Sequence, residues 1–322
     1  MKLRRANRDW ELRSSRITPE SVFMNRRAFM QGSLWAAGAA LGTLSGCSSD
    51  SPMMQAPEPS MTALEQRLYP ATRNSGYALD RPITEPKIAG SYNNFFEFGE
   101  DKGEIQFNAA KLETRPWTLE ISGLVNKPQI YDLDDLLKQF PLEERLYRLR
   151  CVEAWAMAVP WTGFPLNELL RRAEPKSSAT HVRFLSFYNP VVASGQRMFW
   201  RPWPYAEGLT LPEAMNELSF LATGVYGKPL PKQHGAPLRL LAPWKYGYKS
   251  AKSIVRIEVI DFRPPTFWST LQGLEYNFSA NVDPDVPHPR WSQASEKMIG
   301  TGEIFPTQLY NGYQKYVAGL YT

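Results

Sequence analysis

The chain has 322 residues, 43% of them hydrophobic and 21% charged, values that are ordinary for a globular protein and exclude wholesale disorder. It carries 37 Lys and Arg against 32 Asp and Glu, a formal net charge of +5. Eight of the basic and three of the acidic residues lie in residues 1–47, which leaves 29 of each kind in residues 48–322. Because a nucleic-acid-binding domain needs a basic surface on its folded part, we expect no nucleic-acid partner.

The N-terminal segment, residues 1–47, has the features of a twin-arginine export signal. Arg26 and Arg27 are followed by an apolar run rich in Ala and Gly, which is too short to span a membrane. Twin-arginine export carries proteins that are already folded, so the pattern predicts a periplasmic protein that acquires a cofactor in the cytoplasm. The alternative is a cytosolic amphipathic N-terminus with a chance pair of arginines.

Cys47 ends a short stretch, Leu-Ser-Gly-Cys, that resembles a bacterial lipobox. This predicts either a lipid anchor at Cys47 or plain cleavage nearby. Residues 48–80 mix Ser, Met, Pro and charged residues with little periodicity, so we interpret them as a linker and approach to the folded domain. Residues 81–322 show no internal repeat and no low-complexity linker, and they predict one domain or two intimately packed lobes.

Several short elements follow in chain order. Residues 117–123 are predicted as a strand that ends at a turn, and residues 133–140 have helical spacing that stops at Pro141. Residues 145–151 alternate, which predicts a strand with Tyr147, Leu149 and Cys151 on one face and Arg148 and Arg150 on the other. Cys151 is then at the end of a strand.

The second half of the domain continues with a short helix over residues 164–172, with Pro165 in its first turn. Three further strands are predicted at residues 180–188, 237–243 and 253–261. Strands outnumber the short helices, and 27 prolines disfavour a helical bundle. We therefore predict an α+β fold with a mixed or barrel-like sheet.

Cys151 is the one thiol that remains if Cys47 is removed or acylated. Exported proteins usually pair their cysteines, so three interpretations stand: a buried inert thiol, a disulfide with Cys47, or a thiolate committed to catalysis or to a metal. A cysteine hydrolase also needs a histidine base. The three histidines, His181, His234 and His288, are scattered and have no metal-ligand spacing.

A second candidate site is a group of four cations within fourteen residues, with small and hydroxyl-bearing residues between them. The cations are Arg239, Lys245, Lys249 and Lys252. Cations, small residues and free backbone amides together suit a phosphate group. No phosphate-binding motif is matched, so a solvated basic loop is the alternative.

Three stretches of the sequence carry a family resemblance. They are Tyr-Asn-Asn-Phe-Phe-Glu-Phe-Gly from Tyr92, Arg-Cys-Val-Glu-Ala-Trp from Arg150 with Pro-Trp-Thr-Gly-Phe-Pro-Leu from Pro160, and Gly-Ala-Pro-Leu-Arg-Leu from Gly235 with Pro-Trp-Lys-Tyr-Gly-Tyr-Lys from Pro243. With His-Pro-Arg-Trp-Ser-Gln-Ala from His288, residues 90–322 resemble the catalytic subunits of bacterial periplasmic protein-methionine-sulfoxide reductases, which are sulfite-oxidase-like molybdoenzymes.

The resemblance implies a sulfite-oxidase-type molybdopterin-binding fold and one mononuclear molybdenum-molybdopterin, without an added nucleotide, per chain. The metal-ligating cysteine of the family falls on Cys151. Its pterin contacts fall on Asn93, Phe96, Glu97, Ser186, His234, Arg239, Ser250, Ala251 and Lys252. Three of these depart from the family pattern, which has Tyr, Thr and Asn where Phe96, Ser186 and His234 stand, and the change at His234 alters the hydrogen-bonding groups most.

The implied reaction is reduction of methionine sulfoxide residues in oxidised periplasmic proteins, by oxygen-atom transfer to reduced molybdenum. No haem or flavin motif is present. The resemblance implies that electrons come from a haem-containing membrane subunit, with which the chain forms a heterodimer. Glu153 is a candidate catalytic residue that assists proton transfer near the metal, and the alternative for it is a structural salt bridge.

Two rival functions are open. One is oxidation of a small anion, as in sulfite oxidases proper, with Arg148 and Arg150 positioning the anion. The strand alternation points these two side chains away from Cys151. The other is a cofactor-free lipoprotein scaffold that has kept the fold.

Overall fold

The structure, a computed structural model, describes residues 61–321; the twin-arginine segment and Cys47 lie outside the described residues. Twelve strands and eight α-helices are found in residues 61–321. The strands are β1 Thr118–Gly123, β2 Gln129–Asp132, β3 Glu143–Arg150, β4 Trp155–Pro165, β5 His181–Ser186, β6 Ala206–Thr210, β7 Phe220–Val225, β8 Lys228–Pro229, β9 Arg239–Leu241, β10 Ile254–Ile260, β11 Ser295–Met298 and β12 Ile304–Pro306.

The helices are all short. The α-helices are α1 Ala63–Leu68, α2 Pro86–Ser91, α3 Ile105–Asn108, α4 Leu133–Gln139, α5 Leu166–Ala173, α6 Leu211–Met215, α7 Phe267–Leu271 and α8 Gln314–Val317. Short 3-10 turns are Ala109–Lys111, Ser194–Arg197, Lys232–His234, Gly247–Lys249, Leu309–Gly312 and Ala318–Leu320. In residues 61–321 no helix has the length and apolarity to cross a bilayer.

The strands form two mixed sheets. One has the order β2-β1-β10-β5-β6, and the other has the order β12-β11-β4-β7-β8, with β3 paired to β4 and β9 paired to β7. Most neighbours are antiparallel, while β1 with β10 and β11 with β4 are parallel. The prediction of an α+β fold with mixed sheets and short helices is confirmed.

Hydrophobic alternation explains the first sheet. In β5 the buried positions are Val182, Phe184 and Ser186, every second residue. Val182 and Phe184 join buried residues of β1, β10 and helix α5 in one apolar cluster. In α5 the buried Leu166, Leu169, Leu170 and Ala173 recur at helical spacing, which places that helix on the core.

The second sheet is built around β4, which is buried over almost its whole length. Such a continuous apolar strand is covered on both faces. At its end Pro165 adopts an extended backbone and is the residue before α5, so the prediction that Pro165 lies within the first turn was wrong by one position. The fixed φ of proline lets β4 pass directly into the helix.

Part of the segment 48–80 packs on this sheet. Helix α1 begins with a capping box between Thr62 and Glu65. The buried Tyr69 donates a hydrogen bond of 2.7 Å to Thr223 Oγ1 in β7. Residues from 61 onward therefore belong to the same folded unit as the sheets.

Candidate active site

A pocket opens where three segments meet: residues 93–97, the turn between β3 and β4, and the stretch from β9 to residue 252. The space between its lining atoms, including the part open to solvent, is about 840 Å³, within the usual range for a cofactor or ligand. The predicted site residues that line it are Asn93, Phe96, Glu97, Cys151, Glu153, Arg239, Ser250 and Lys252.

The β3–β4 hairpin places Cys151 at this pocket. Arg150 pairs with Ala156 across the two strands, and residues 151–154 reverse the chain between them. The Cys151 amide donates to the Trp155 carbonyl at 2.9 Å, and Ala154 adopts a left-handed backbone with φ of 67°. The thiol is thus held at a fixed point on the pocket wall, at the strand end that the sequence predicted.

The Cys151 thiol is free and buried, so it is not in a disulfide within the described residues. Its Sγ accepts hydrogen bonds of 3.5 Å from Asn94 Nδ2 and from the Glu153 amide. Burial, and then the nearby Glu153 carboxylate, raise the pKa of Cys151 to about 12. The sulfur therefore keeps its proton until a cation takes that proton's place, which is how a buried cysteine becomes a metal ligand.

Glu153 is both ion-paired and close to the sulfur. Its Oε2 lies 3.1 Å from Lys102 Nζ and 3.8 Å from Cys151 Sγ, and it accepts a hydrogen bond of 3.0 Å from Trp155 Nε1. Burial raises its pKa, but the Trp155 hydrogen bond and the Lys102 charge outweigh burial and leave that pKa below the ordinary value. At neutral pH Glu153 is a carboxylate that can accept a proton at the pocket.

Two cations of the predicted phosphate cluster face the pocket without a carboxylate partner in the described part of the chain. Arg239 is 3% exposed, its Nη1 donates to the His234 carbonyl at 2.9 Å, and its Nε has no partner there. Lys252 Nζ donates only to backbone carbonyls, of Asn94 at 2.6 Å and Gln233 at 3.3 Å. Burial lowers the pKa of Arg239 to about 9 and that of Lys252 well below its usual value.

The other two cations of that cluster have carboxylate partners. Lys245 pairs with Glu213 at 2.5 Å, and Lys249 pairs with Glu207 at 2.8 Å, and all four side chains are buried. The interpretation of the cluster as a solvated basic loop was therefore wrong. The expectation that Lys249 serves a phosphate was also wrong, because Glu207 already neutralises it.

Glu97 and Ser186 form a buried pair at the pocket. The Ser186 hydroxyl lies 2.8 Å from Glu97 Oε1 and 2.8 Å from the Lys252 carbonyl oxygen. Burial, partly offset by the Ser186 hydrogen bond and the Lys252 charge, raises the pKa of Glu97 to about 7. Ser186 does not line the pocket itself and reaches it through Glu97.

Three of the predicted pterin contacts, Ser186, His234 and Ala251, lie behind the pocket surface. His234 is buried edge-on to the Trp161 ring, at 5.8 Å between centroids, and its Nδ1 has no partner among the described residues. Burial, then the charges of Arg239 and Lys252, hold its pKa well below the usual value. Its carbonyl, rather than its ring, contacts Arg239.

Two further predicted contacts, Asn93 and Phe96, lie on the opposite segment. Asn93 is buried and donates from Nδ2 to the Gly90 carbonyl at 2.9 Å. The Phe96 ring packs edge-to-face on Trp268, with 4.8 Å between centroids. Trp268 and Tyr276 extend this aromatic wall of the pocket, with 4.8 Å between their centroids.

Sequence reasoning missed several pocket residues. Asn94 contacts both the Cys151 sulfur and Glu153, and Lys102 pairs with Glu153. Asn94 follows a predicted contact and was within reach of the motif, whereas no local signal pointed to Lys102, Trp268 or Tyr276. The fold brings these residues, which are distant from Cys151 in the sequence, into or next to the pocket.

Arg148 and Arg150 point away from the pocket, as the alternation predicted. Arg148 pairs with Asp80 at 2.7 Å and donates to Gln308. Arg150 is fully buried and donates to Gln293 Oε1 at 2.7 Å, next to Glu296. Neither side chain lines the pocket, so neither is placed to position an anionic substrate there.

The chain is similar to known proteins that bind molybdopterin or reduce methionine sulfoxide. A family model described as an oxidoreductase molybdopterin binding domain matches residues 106–268. The protein-methionine-sulfoxide reductase catalytic subunit MsrP of Burkholderia mallei is 46% identical over 311 residues, 95% of this chain and 92% of the relative. The subunit of the same name from Pseudomonas syringae pv. tomato is 45% identical over 323 residues, with 96% and 94% covered.

A solved structure was also matched. The sulfane dehydrogenase SoxCD from Paracoccus pantotrophus has a TM-score of 0.42 and 18% identity, and the match covers 76% of this chain and 60% of that one.

The fold and the family model define a molybdopterin-binding oxidoreductase. The two relatives narrow this class, and the chain belongs to the family of protein-methionine-sulfoxide reductase catalytic subunits. It is therefore a molybdenum-dependent enzyme that reduces methionine sulfoxide.

The pocket residues fit the cofactor of this family. In residues 61–321 no group of three or more His, Cys, Asp and Glu side chains is placed to hold a metal ion, and Cys151 is the thiol that lines the pocket. A single buried thiol suits a soft metal site. Arg239, which is buried, and Lys252, which is half-buried, have no carboxylate partner in the described part of the chain and suit the phosphate of a pterin.

Proposed function

We propose that this enzyme repairs methionine sulfoxide residues in periplasmic proteins, with one molybdenum-molybdopterin without an added nucleotide bound at the pocket. The observation that carries the proposal is the buried Cys151 thiol in the same pocket as the buried Arg239 and the half-buried Lys252, two cations that have no carboxylate partner among residues 61–321. A metal ion bound to the Cys151 sulfur offsets the cost of burying a thiolate, and a phosphate offsets the cost of burying the two cations.

The cofactor, when bound, supplies two-electron oxygen-atom transfer, and the protein supplies position and charge. Cys151 holds the metal, while Arg239 and Lys252 hold the phosphate. Asn94 donates to both the sulfur and the carboxylate of Glu153 and so fixes their separation. Glu153, kept ionised by Trp155 and Lys102, accepts a proton at the pocket.

The electrons are proposed to come from a haem-containing membrane subunit that forms a heterodimer with this chain. In the full sequence the haem-attachment pattern C-x-x-C-H is absent, and no flavin or nicotinamide fingerprint occurs. Reduction of a sulfoxide consumes two electrons per turnover, so an external donor is required.

The site of action is proposed to be the periplasm. Arg26 and Arg27 with the following apolar run support export by the twin-arginine route, which suits a protein that folds around its cofactor first. Cys47 follows this run and is proposed either as a lipid anchor or as a residue removed by processing.

A direct comparison of substrates tests the proposal against sulfite oxidation. With reduced viologen as donor the enzyme should turn over peptide methionine sulfoxide, and with an electron acceptor it should oxidise sulfite at least about 100-fold more slowly, since Arg148 and Arg150 are engaged elsewhere. Steady-state kcat/KM for both substrates is the measurement. Faster turnover of sulfite would contradict the proposal.

A further inference from the structure

The connection between β5 and β6, residues 187–205, exposes large apolar side chains beside the pocket. Phe199 is 88% exposed and Trp200 is 66% exposed, and their ring centroids lie 5.3 Å apart at an interplanar angle of 83°. Tyr188 and Val191 of the same connection are exposed as well. Grouped exposed apolar side chains, unlike single ones, mark interaction sites.

This connection is held in shape by its own hydrogen bonds. Gln196 accepts from the Asn189 amide at 2.6 Å and donates to the Phe187 carbonyl at 2.8 Å. Arg197 donates to the Pro190 and Val191 carbonyls at 2.9 and 3.1 Å. A loop of this kind presents its tip without a large ordering cost on binding.

The same connection is fastened to the wall of the pocket. The Gly195 amide donates to the Glu97 carbonyl at 2.9 Å, and a Cβ at Gly195 would overlap the Phe96 carbonyl oxygen. Phe96 and Glu97 both line the pocket. The base of the connection therefore lies directly on the pocket-lining segment.

The connection is fixed a second time at residues 201–203, next to Phe199 and Trp200. Arg201 pairs with Glu100, and its guanidinium lies 6.0 Å from the centre of the Phe96 ring. The Trp203 ring packs on the Phe267 ring with 4.7 Å between centroids and an interplanar angle of 44°, and the Phe267 centroid lies 5.5 Å from that of the pocket residue Trp268. Phe199 and Trp200 are one or two residues from Arg201, whose guanidinium is next to the pocket residue Phe96, and at about 3.8 Å per residue their backbone is within about 8 Å of that of Arg201.

We infer that Phe199 and Trp200 bind the apolar residues that flank a methionine sulfoxide in the substrate polypeptide. The inference rests on the reductase activity and on the pocket as its site. An extended segment advances about 3.3 Å per residue, so residues two to four positions from the sulfoxide lie roughly 7 to 13 Å from it along the bound polypeptide.

The chemistry of the substrate supports this occupant. A methionine sulfoxide within a polypeptide has neighbouring residues on both sides, which a free amino acid lacks. Trp and Phe offer large rigid surfaces for such neighbours, and Trp is among the residues that contribute most when truncated at an interface. A free amino acid is too small to span from the pocket to Phe199 and Trp200, so the pair distinguishes protein from small substrates.

The test uses the double variant Phe199→Ser with Trp200→Ser, as cofactor-loaded enzyme with reduced viologen as donor. The KM for an oxidised protein should rise about tenfold, while kcat/KM for N-acetyl methionine sulfoxide amide and the molybdenum content stay unchanged. Binding of the oxidised protein, measured by surface plasmon resonance, should weaken in parallel. The matched control is Ile130→Ser, a 67% exposed residue on β2, which should leave both substrates unaffected.

An equal loss for both substrates, or no loss for either, overturns the inference. A loss that is seen only with the membrane subunit as electron donor also overturns it, and assigns the pair to that partner instead. Failure of the proposed function is a separate result, since wild-type enzyme would then reduce neither the protein nor the small sulfoxide.

Discussion

In the protein without its cofactor, the buried charge of Arg239 lowers the stability of the fold. Its side chain is buried on β9 beside the Trp161 ring, with 4.8 Å from the guanidinium carbon to the ring centre. The ion-pair partner that a buried guanidinium normally requires is missing among residues 61–321, and burial lowers the pKa of Arg239 to about 9. A bound phosphate supplies the missing partner.

The variant Arg239→Met should therefore separate stability from cofactor binding. In protein made without molybdopterin synthesis, the free energy of unfolding should rise by about 1 to 3 kcal/mol, because an uncompensated buried charge is removed. In protein made with the cofactor, the retained molybdopterin should fall at least about tenfold. Denaturant unfolding and pterin analysis are the two measurements.

The control for that variant is Arg256→Met. Arg256 is 44% exposed and pairs with Glu120 at 2.8 Å on the surface of the first sheet. Its replacement should change stability by no more than about 0.5 kcal/mol and leave cofactor retention alone. Wild-type cofactor retention in Arg239→Met would contradict the assignment of Arg239 to the phosphate.

For single residues, the sequence predicted correctly those features that depend only on neighbouring positions in the chain. Alternation alone predicted that Cys151 lies opposite Arg148 and Arg150. It did not predict that Arg150 is buried, because the covering residues, Gln293 and Glu296, lie about 140 positions further along the chain. The pairing of Lys102 with Glu153 was beyond sequence reasoning for the same reason.

At the scale of elements, close approach of backbones fixes the walls of the pocket. Gly195 lies in the 3-10 turn Ser194–Arg197, whose base packs on the backbone of Phe96 and Glu97. The hydrogen bond from the Gly195 amide to the Glu97 carbonyl needs this approach. A side chain at position 195 would push the two segments apart.

Gly195→Ala is therefore expected to lower the free energy of unfolding by about 1 to 3 kcal/mol through steric overlap. Gly90→Ala is the matched control, since Gly90 lies in helix α2 and its nearest neighbour to an added Cβ is 3.6 Å away. The control should be neutral or stabilising by up to about 1 kcal/mol. Urea unfolding compares them, and equal stability of the two variants would argue against this packing.

The periodicity of hydrophobic residues predicted most boundaries of the strands. It did not predict which strands pair with each other. The strands near residues 118–123, 181–186 and 254–260 were predicted closely. The parallel pairing of β1 with β10 joins Glu120 to Arg256 across more than a hundred residues. Register over such a separation depends on the assembled core, which a local pattern does not encode.

At the scale of the whole molecule, the formal charge of +5 belongs to residues 1–47, and residues 48–322 are formally neutral. Within that neutral part, charge is uneven where the cofactor is expected. Lys245 and Lys249 are paired with glutamates, while Arg239 and Lys252 have no carboxylate partner among residues 61–321. The family resemblance assigned Arg239 and Lys252 to the cofactor, and the structure adds that the other two cations of the cluster, Lys245 and Lys249, are paired with glutamates.

The most direct test of the account is the molybdenum of Cys151→Ser compared with wild type, both purified from the native host. Wild-type protein should contain one molybdenum and one pterin per chain and reduce methionine sulfoxide. The variant should keep its circular dichroism spectrum, lose one sulfur from the metal's X-ray absorption signal and lose activity. Full methionine sulfoxide reductase activity in Cys151→Ser, or active wild-type protein free of molybdenum, would contradict the account.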